Sequence, residues 1–234
     1  MSEAESKRGR KRVYDFQRTR ESILDAAEAL FAEHGFDATS VESIAAQAGY
    51  AKSLLFQYFG DKLGLYAQVL RRVDQEVGEL LARVLTYELT DETVLRAAQF
   101  KEFLTVMVQT YFDYLLEHPR LVRILSWEMT RGWQTFAQVG SQLVPHDTYR
   151  LEPLFQKARE AGLLRSDFVP IIQLTLMMPL CQAYLGYLPL YQQLLPQEEL
   201  ASASGLAQAR DYLVDFIVAG MMGHIPETPA EKGN

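Results

Sequence analysis

Apolar residues recur along this chain at the spacing of helices rather than strands. Between Arg18 and His34, the positions Ile23, Ala26, Ala27, Leu30 and Phe31 form one stripe on one helix. Gly35 follows, where a left-handed C-terminal residue would stop that helix. Thr39 stands three residues before Glu42, a capping-box spacing, and Val41, Ile44, Ala45 and Ala48 predict a second, short helix ended by Gly49. A third short helix is predicted over Ala51–Tyr58, with Leu54, Leu55, Phe56 and then Phe59 as its apolar residues. After Gly60-Asp61 a longer helix is predicted to about Leu89, with Leu65, Val69, Val73, Val77, Leu80 and Leu81 apolar.

The remainder reads as longer helices. Asp91–Glu117 is apolar on more than one face (Phe100, Phe103, Leu104, Met107, Val108, Tyr111, Leu115), as expected of a helix surrounded by others. His118-Pro119 breaks it and Leu121–Arg131 continues as a new helix. Gly132–Asp147 is ambiguous, punctuated by Gly140 and Pro145, and Tyr149–Ala161 is amphipathic up to Gly162. Phe168–Gln197 holds no Asp, Glu, Lys or Arg, but Gln173, Thr175, Gln182, Gln192, Gln193, Pro179 and Pro189 interrupt it, so it reads as a buried interface helix kinked at Pro179 rather than a membrane span. Leu206–Met222 is the last helix, and the residues after His224 read as a loose tail. No alternating strand pattern occurs, so the expected fold class is all-α.

Composition and charge narrow the function. With 234 residues and 48% hydrophobic content, the chain can bury ~70–75% of its unfolded surface. The polar start contains no apolar segment of the secretory kind, and the single cysteine, Cys181, excludes an intrachain disulfide and a thiolate zinc cluster. A cytoplasmic location is expected. The net charge of −7 argues against a general polyanion binder, yet it is unevenly placed: residues 1–20 carry +4 and residues 66–234 carry −6. A basic leader on an acidic body suggests a polyanion partner at one end. The four histidines are scattered without metal-ligand spacing and no glycine-rich phosphate loop is present, so neither an enzyme nor a metal or cofactor site is expected.

The stretch Thr39–Lys62 has the lengths of a helix-turn-helix unit, two short helices joined through Gly49-Tyr50 behind a longer packing helix. Such a unit needs a helix N-terminus near a phosphate, a glycine at the turn, and a second helix with apolar residues inward and hydrogen-bonding residues outward. Thr39/Ser40, Gly49, and Leu55/Phe59 with Lys52, Ser53 and Gln57 supply these in order. The competing class, a helical small-molecule-binding or interaction protein without operator binding, predicts acidic substitutions on the outward face of Ala51–Tyr58, and none is there.

At these residues the sequence resembles the TetR family of bacterial transcriptional regulators. The resemblance runs through Ile23-Leu24-Asp25-Ala26-Ala27, Leu30-Phe31-Ala32-Glu33-His34-Gly35-Phe36, Thr39-Ser40-Val41, Ile44-Ala45, Ala48-Gly49 and Leu55-Phe56-Gln57-Tyr58-Phe59-Gly60-Asp61-Lys62. Between the basic leader, read as a flexible arm (1–17), and the flexible tail (225–234), it implies a helix-turn-helix DNA-binding domain (18–64) and a helical effector-binding and dimerisation domain (65–224). It also implies a repressor that binds a near-palindromic double-stranded DNA operator as a homodimer and is released by a small effector. Thr39 and Ser40 would cap the first short helix and touch phosphate, and Tyr58 and Lys62 match the family's phosphate contacts. Tyr50, Ala51, Lys52, Ser53, Leu54 and Gln57 would face the groove, with Gln57 suited to adenine and Lys52 to guanine. Ala51 and Leu54 stand where the family often has hydroxyl residues, which alters the operator sequence to be expected.

In the second half, Phe103, Met107, Tyr111, Trp127, Arg131, Trp133, Phe155, Met177, Cys181 and Tyr184 are the candidate effector residues, and Glu128 and Gln182 are further polar candidates. Such pockets are mostly apolar with a few placed polar groups, so an apolar effector is expected. The charge-free helix and the final helix, where Ala219 and Gly220 permit close approach, are the expected dimer helices. Two-fold pairing would set the recognition helices about 34–36 Å apart.

Overall fold

The computed structural model describes residues 3–85, 96–140, 146–165 and 169–223. The helix ends expected at Leu89 and Asp91, the punctuation at Pro145 and the tail 225–234 lie outside the described residues. Ten helices are present among them: α1 (Glu3–Ala38), α2 (Val41–Ala48), α3 (Lys52–Phe59), α4 (Lys62–Leu85), α5 (Ala97–Glu117), α6 (Pro119–Thr130), α7 (Gln134–Val139), α8 (His146–Glu160), α9 (Pro170–Leu194) and α10 (Ala203–Met221). The described residues hold no strand, only an isolated antiparallel bridge between Leu164 and Met222. No helix among them is long and apolar enough to cross a membrane.

The chain divides into two compact units. The first comprises residues 1–75 with 120–144, the second 76–119 with 145–234. In the first, the α1 stripe is buried as its spacing predicts: Ile23, Ala26, Ala27, Leu30 and Phe31, joined by Leu24, close over Ile44 and Ala45 of α2, Leu55 and Phe59 of α3, and Leu65, Tyr66, Val69 and Leu70 of α4. Phe31 meets Tyr66 edge to face at 4.9 Å. Arg72 of α4 forms ion pairs with Asp25 at 2.7 Å and with Glu28, which bind α4 to α1 along their solvent side.

Two features depart from the linear reading. The basic leader, expected to be a loose arm, is helical from Glu3, in a stretch (3–17) that contains no proline and a single glycine, Gly9. The N-terminal unit also extends past residue 64. Its core takes in the first turns of α4, together with Ile124 of α6 and Val139 beyond it. The α6 segment is fastened there by Glu128. This carboxylate is 1% exposed, and it accepts hydrogen bonds from the Tyr66 hydroxyl at 2.7 Å and from the backbone N–H of Phe136 at 2.9 Å.

The second unit is built around α5, whose Phe100, Phe103, Leu104, Met107, Val108, Tyr111, Phe112 and Leu115 are all buried. That matches a helix apolar on several faces. Phe155 of α8 packs edge to face on Phe100 and Phe103. α9 runs unbroken through Pro179 and Pro189. Arg210 of α10 is paired with Asp113 of α5 at 3.1 Å.

Candidate nucleic-acid interface

α1 turns out of helical geometry at Gly35, whose φ of 74° and ψ of 176° suit glycine alone. The carbonyls freed there are taken by Thr39. Its hydroxyl lies 2.7 Å from the Gly35 oxygen and 3.1 Å from the Leu30 oxygen, and the residue is only 2% exposed. Thr39 therefore neither caps α2 nor presents its side chain to a phosphate, contrary to expectation. The capping box belongs instead to Ser40 and Ser43. The Ser40 hydroxyl accepts from the Ser43 N–H at 3.0 Å, and the Ser43 hydroxyl accepts from the Ser40 N–H at 3.2 Å. Ser40 is exposed, at the start of a helix whose unpaired N–H groups favour an anion.

Gly49 ends α2 in the left-handed region (φ 76°, ψ 26°), and the Tyr50 N–H returns to the Ala45 oxygen at 3.0 Å. This sharp exit sets α3 across α2. Leu55 and Phe59 point into the core, while Ala51, Lys52, Ser53, Phe56 and Gln57 are exposed and Tyr50, Leu54 and Tyr58 are half-buried. Phe16 of α1 lies 4.6 Å from the Tyr58 ring. Of the positions expected outward, Ala51, Lys52, Ser53 and Gln57 are exposed and Tyr50 and Leu54 only partly so, and one exposed residue is added. Phe56 is 43% exposed, one turn after Lys52, and the same periodicity that turns Lys52 and Gln57 outward turns it outward too. Reading it simply as apolar hid it.

Both lysines of this region are engaged. The Lys52 ammonium pairs with the Glu42 carboxylate of α2 and sits 5.4 Å from the centre of the Phe56 ring. That hydrogen bond holds the Glu42 carboxyl below its ordinary value. The Lys62 ammonium is turned inward: it donates to the carbonyl oxygens of Phe36 at 2.9 Å, Thr39 at 3.0 Å and Asp37 at 3.4 Å, over the face of Phe36 at 4.3 Å. Partial burial lowers its pKa.

The candidate effector residues do not share one unit. Phe103, Met107, Tyr111, Phe155 and Cys181 are buried in the second unit and Tyr184 is half-buried there, while the Met177 side chain lies outside the described residues. Trp127, Arg131 and Trp133 belong to the first unit. There the Trp127 indole donates to the Ala32 oxygen at 3.2 Å, Arg131 pairs with Asp37, and Trp133 adopts a left-handed backbone just ahead of α7. Trp127 and Arg131 thereby fasten α6 and the turn after it onto α1. In the second unit, Gln182 donates to the Tyr111 hydroxyl at 2.7 Å. Burial raises the Tyr111 phenol and pushes the neighbouring Cys181 thiol up to about 12. No charged side chain is buried among the described residues of that unit.

Comparison with known proteins bears directly on these two units. Residues 23–69 match the family model for bacterial regulatory proteins of the tetR family. Residues 101–217 match the one for the tetracyclin repressor-like C-terminal domain. The HTH-type transcriptional repressor SCO4008 of Streptomyces coelicolor is 28% identical over 162 residues, covering 67% of this chain and 72% of its own. The HTH-type transcriptional repressor NicS of Pseudomonas putida is 26% identical, covering 74% and 78%. Among solved structures, a TetR family transcription regulator from Marinobacter aquaeolei superposes with a TM-score of 0.66 at 20% identity, covering 90% of this chain and 98% of that one. SmeT, the repressor of a Stenotrophomonas maltophilia multidrug efflux pump, superposes at 0.55 with 26% identity, covering 89% and 94%.

Proposed function

The chain belongs to the TetR family of bacterial regulatory proteins, and from that premise we propose how this member recognises DNA and what releases it. It is a ligand-responsive transcriptional repressor. The observation that carries the recognition reading is the exposed face of α3, where Lys52, Ser53, Phe56 and Gln57 stand clear of the core just beyond the Gly49 turn. A major groove admits one such helix. The Gln57 amide has the paired donor and acceptor that adenine requires, and Phe56 offers an apolar edge to a thymine methyl. Ser40 and the first N–H groups of α2 are assigned to a phosphate.

The chain acts as a homodimer through α9 and α10. Ile172, Leu176, Leu180, Tyr187, Leu190 and Leu194 form an exposed apolar stripe along α9, and Tyr212 and Phe216 are exposed one turn apart on α10. An exposed apolar stripe of this kind marks an interaction surface. The effector is a neutral, largely apolar molecule held among the α5, α8 and α9 side chains. Tyr111 and Gln182 are the polar pair there, and among the described residues of that unit no buried charge stands ready to pair with a charged group. SmeT, which shares the fold, forms a complex with triclosan, and this supports an apolar effector. The effector lowers DNA affinity only in proportion to its preference for the non-binding conformer.

Selection of duplexes from a random pool by the intact chain tests the reading. A near-palindromic site is expected, bound with strong salt dependence and lost with Gln57→Ala. Failure to enrich any sequence would overturn it.

A further inference from the structure

Glu42 and Lys52 meet across the α2–α3 turn, with side-chain exposures of 63% and 47%. Glu42 takes no part in the Ser40–Ser43 capping box. Lys52 opens the recognition helix and lies over Phe56, so the pair sits on the face assigned to the groove. Between Thr39 and Asp61, Lys52 is the only basic residue, and Lys62 just beyond is turned to backbone carbonyls. The α2–α3 surface therefore approaches DNA with its one cation already neutralised by a carboxylate.

We propose that Glu42 is a specificity-determining residue, holding Lys52 neutralised against ordinary duplex and yielding it to a base edge on the operator. The proposal rests on the DNA-binding reading above. Every duplex presents phosphates, and a free lysine on α3 would draw the protein to all of them. A carboxylate in the same place lies within the roughly 8 Å screening length and opposes that attraction. An exposed ion pair is weak and easily exchanged. The N7 and O6 acceptors of a guanine offer Lys52 a fixed short-range partner in place of Glu42, whereas non-operator DNA offers only the diffuse field that Glu42 itself counters. Discrimination then comes from a repulsive element as well as an attractive one.

The test uses the full chain, a duplex enriched by the wild-type protein and a shuffled duplex of the same composition, across a salt series. Glu42→Gln is expected to raise affinity for the shuffled duplex about tenfold and to steepen its salt dependence by about 1.8 units per dimer, one further phosphate per protomer. Affinity for the enriched duplex is expected to change by less than about threefold, so the ratio between the two collapses. In a Lys52→Met background the same substitution leaves the salt dependence of shuffled-duplex binding unchanged. Equal shifts on both duplexes, an unchanged slope in Glu42→Gln, or the same steepening without Lys52 overturns this proposal alone. A wild-type chain that enriches no duplex overturns the DNA-binding reading, and this proposal with it.

Discussion

The ammonium of Lys62 donates to the carbonyl oxygen of Thr39 at 3.0 Å, so the first residue of α4 holds the residue immediately ahead of the α2 cap. With Phe36 and Asp37 also accepting, its three donors are committed to the α1–α2 turn. Lys62→Met is therefore expected to weaken operator binding by displacing Ser40, with the salt slope unchanged, and to cost about 2 kcal/mol of stability in denaturant titration. A slope shallower by about 1.8 units per dimer would instead assign Lys62 to the phosphates.

Gly35 and Gly49 both have positive φ, but their surroundings differ. A Cβ at Gly35 would lie 3.0 Å from the Trp127 ring, whereas one at Gly49 meets nothing within 4 Å. Gly49→Ala is expected to cost about 1–2 kcal/mol, the left-handed backbone term alone. Gly35→Ala is expected to cost more, since its backbone region admits glycine only and the α6 docking is disturbed as well. Equal losses in urea titration would contradict both the stricter backbone requirement at Gly35 and the packing of Trp127 on it.

Burial and the Glu128 carboxylate raise the Tyr66 phenol far above its ordinary value, and burial raises that of Tyr111. A raised folded-state pKa leaves stability intact below the unfolded value, about 10, and removes it as pH climbs beyond. Unfolding free energy is expected to fall above pH ~10 by about 1.4 kcal/mol per pH unit for each such phenol. Tyr66→Phe should make that decline shallower by one phenol's share. An unaltered slope would mean that Tyr66 ionises in the folded chain.

Charged substitutions on the exposed stripe should separate assembly from folding. Leu180→Glu and Phe216→Glu are expected to give a monomer in sedimentation that keeps its helical circular dichroism and loses operator binding, because one half-site alone lacks the affinity of two joined. A dimer surviving both changes would place the interface elsewhere.

Periodicity in the sequence located most helices, since the stripes on α1 and α5 are repeated over several turns and leave one arrangement for burial. It also separated Leu55 and Phe59 from Lys52 and Gln57 on α3. It misjudged Thr39 because a capping box is a spacing, and Ser40–Ser43 satisfies the same spacing one residue on with a hydroxyl partner. Sequence proximity groups Trp127, Arg131 and Trp133 with the second half, whereas they belong to the first unit, where Trp127 packs on Gly35, more than ninety positions earlier. The long-range partners of Lys62 and Glu128 leave no periodic trace at all, since each acceptor or donor lies on a separate element.

Two α3 helices reading successive major grooves leave a signature on the enriched duplex that guanine-N7 methylation interference reads out. Two interference patches are expected on one side of the duplex, centred about 10 base pairs apart, both lost with Gln57→Ala in a chain that remains dimeric. Patches that are absent, spaced off the helical repeat, or unaffected by Gln57→Ala would overturn the reading.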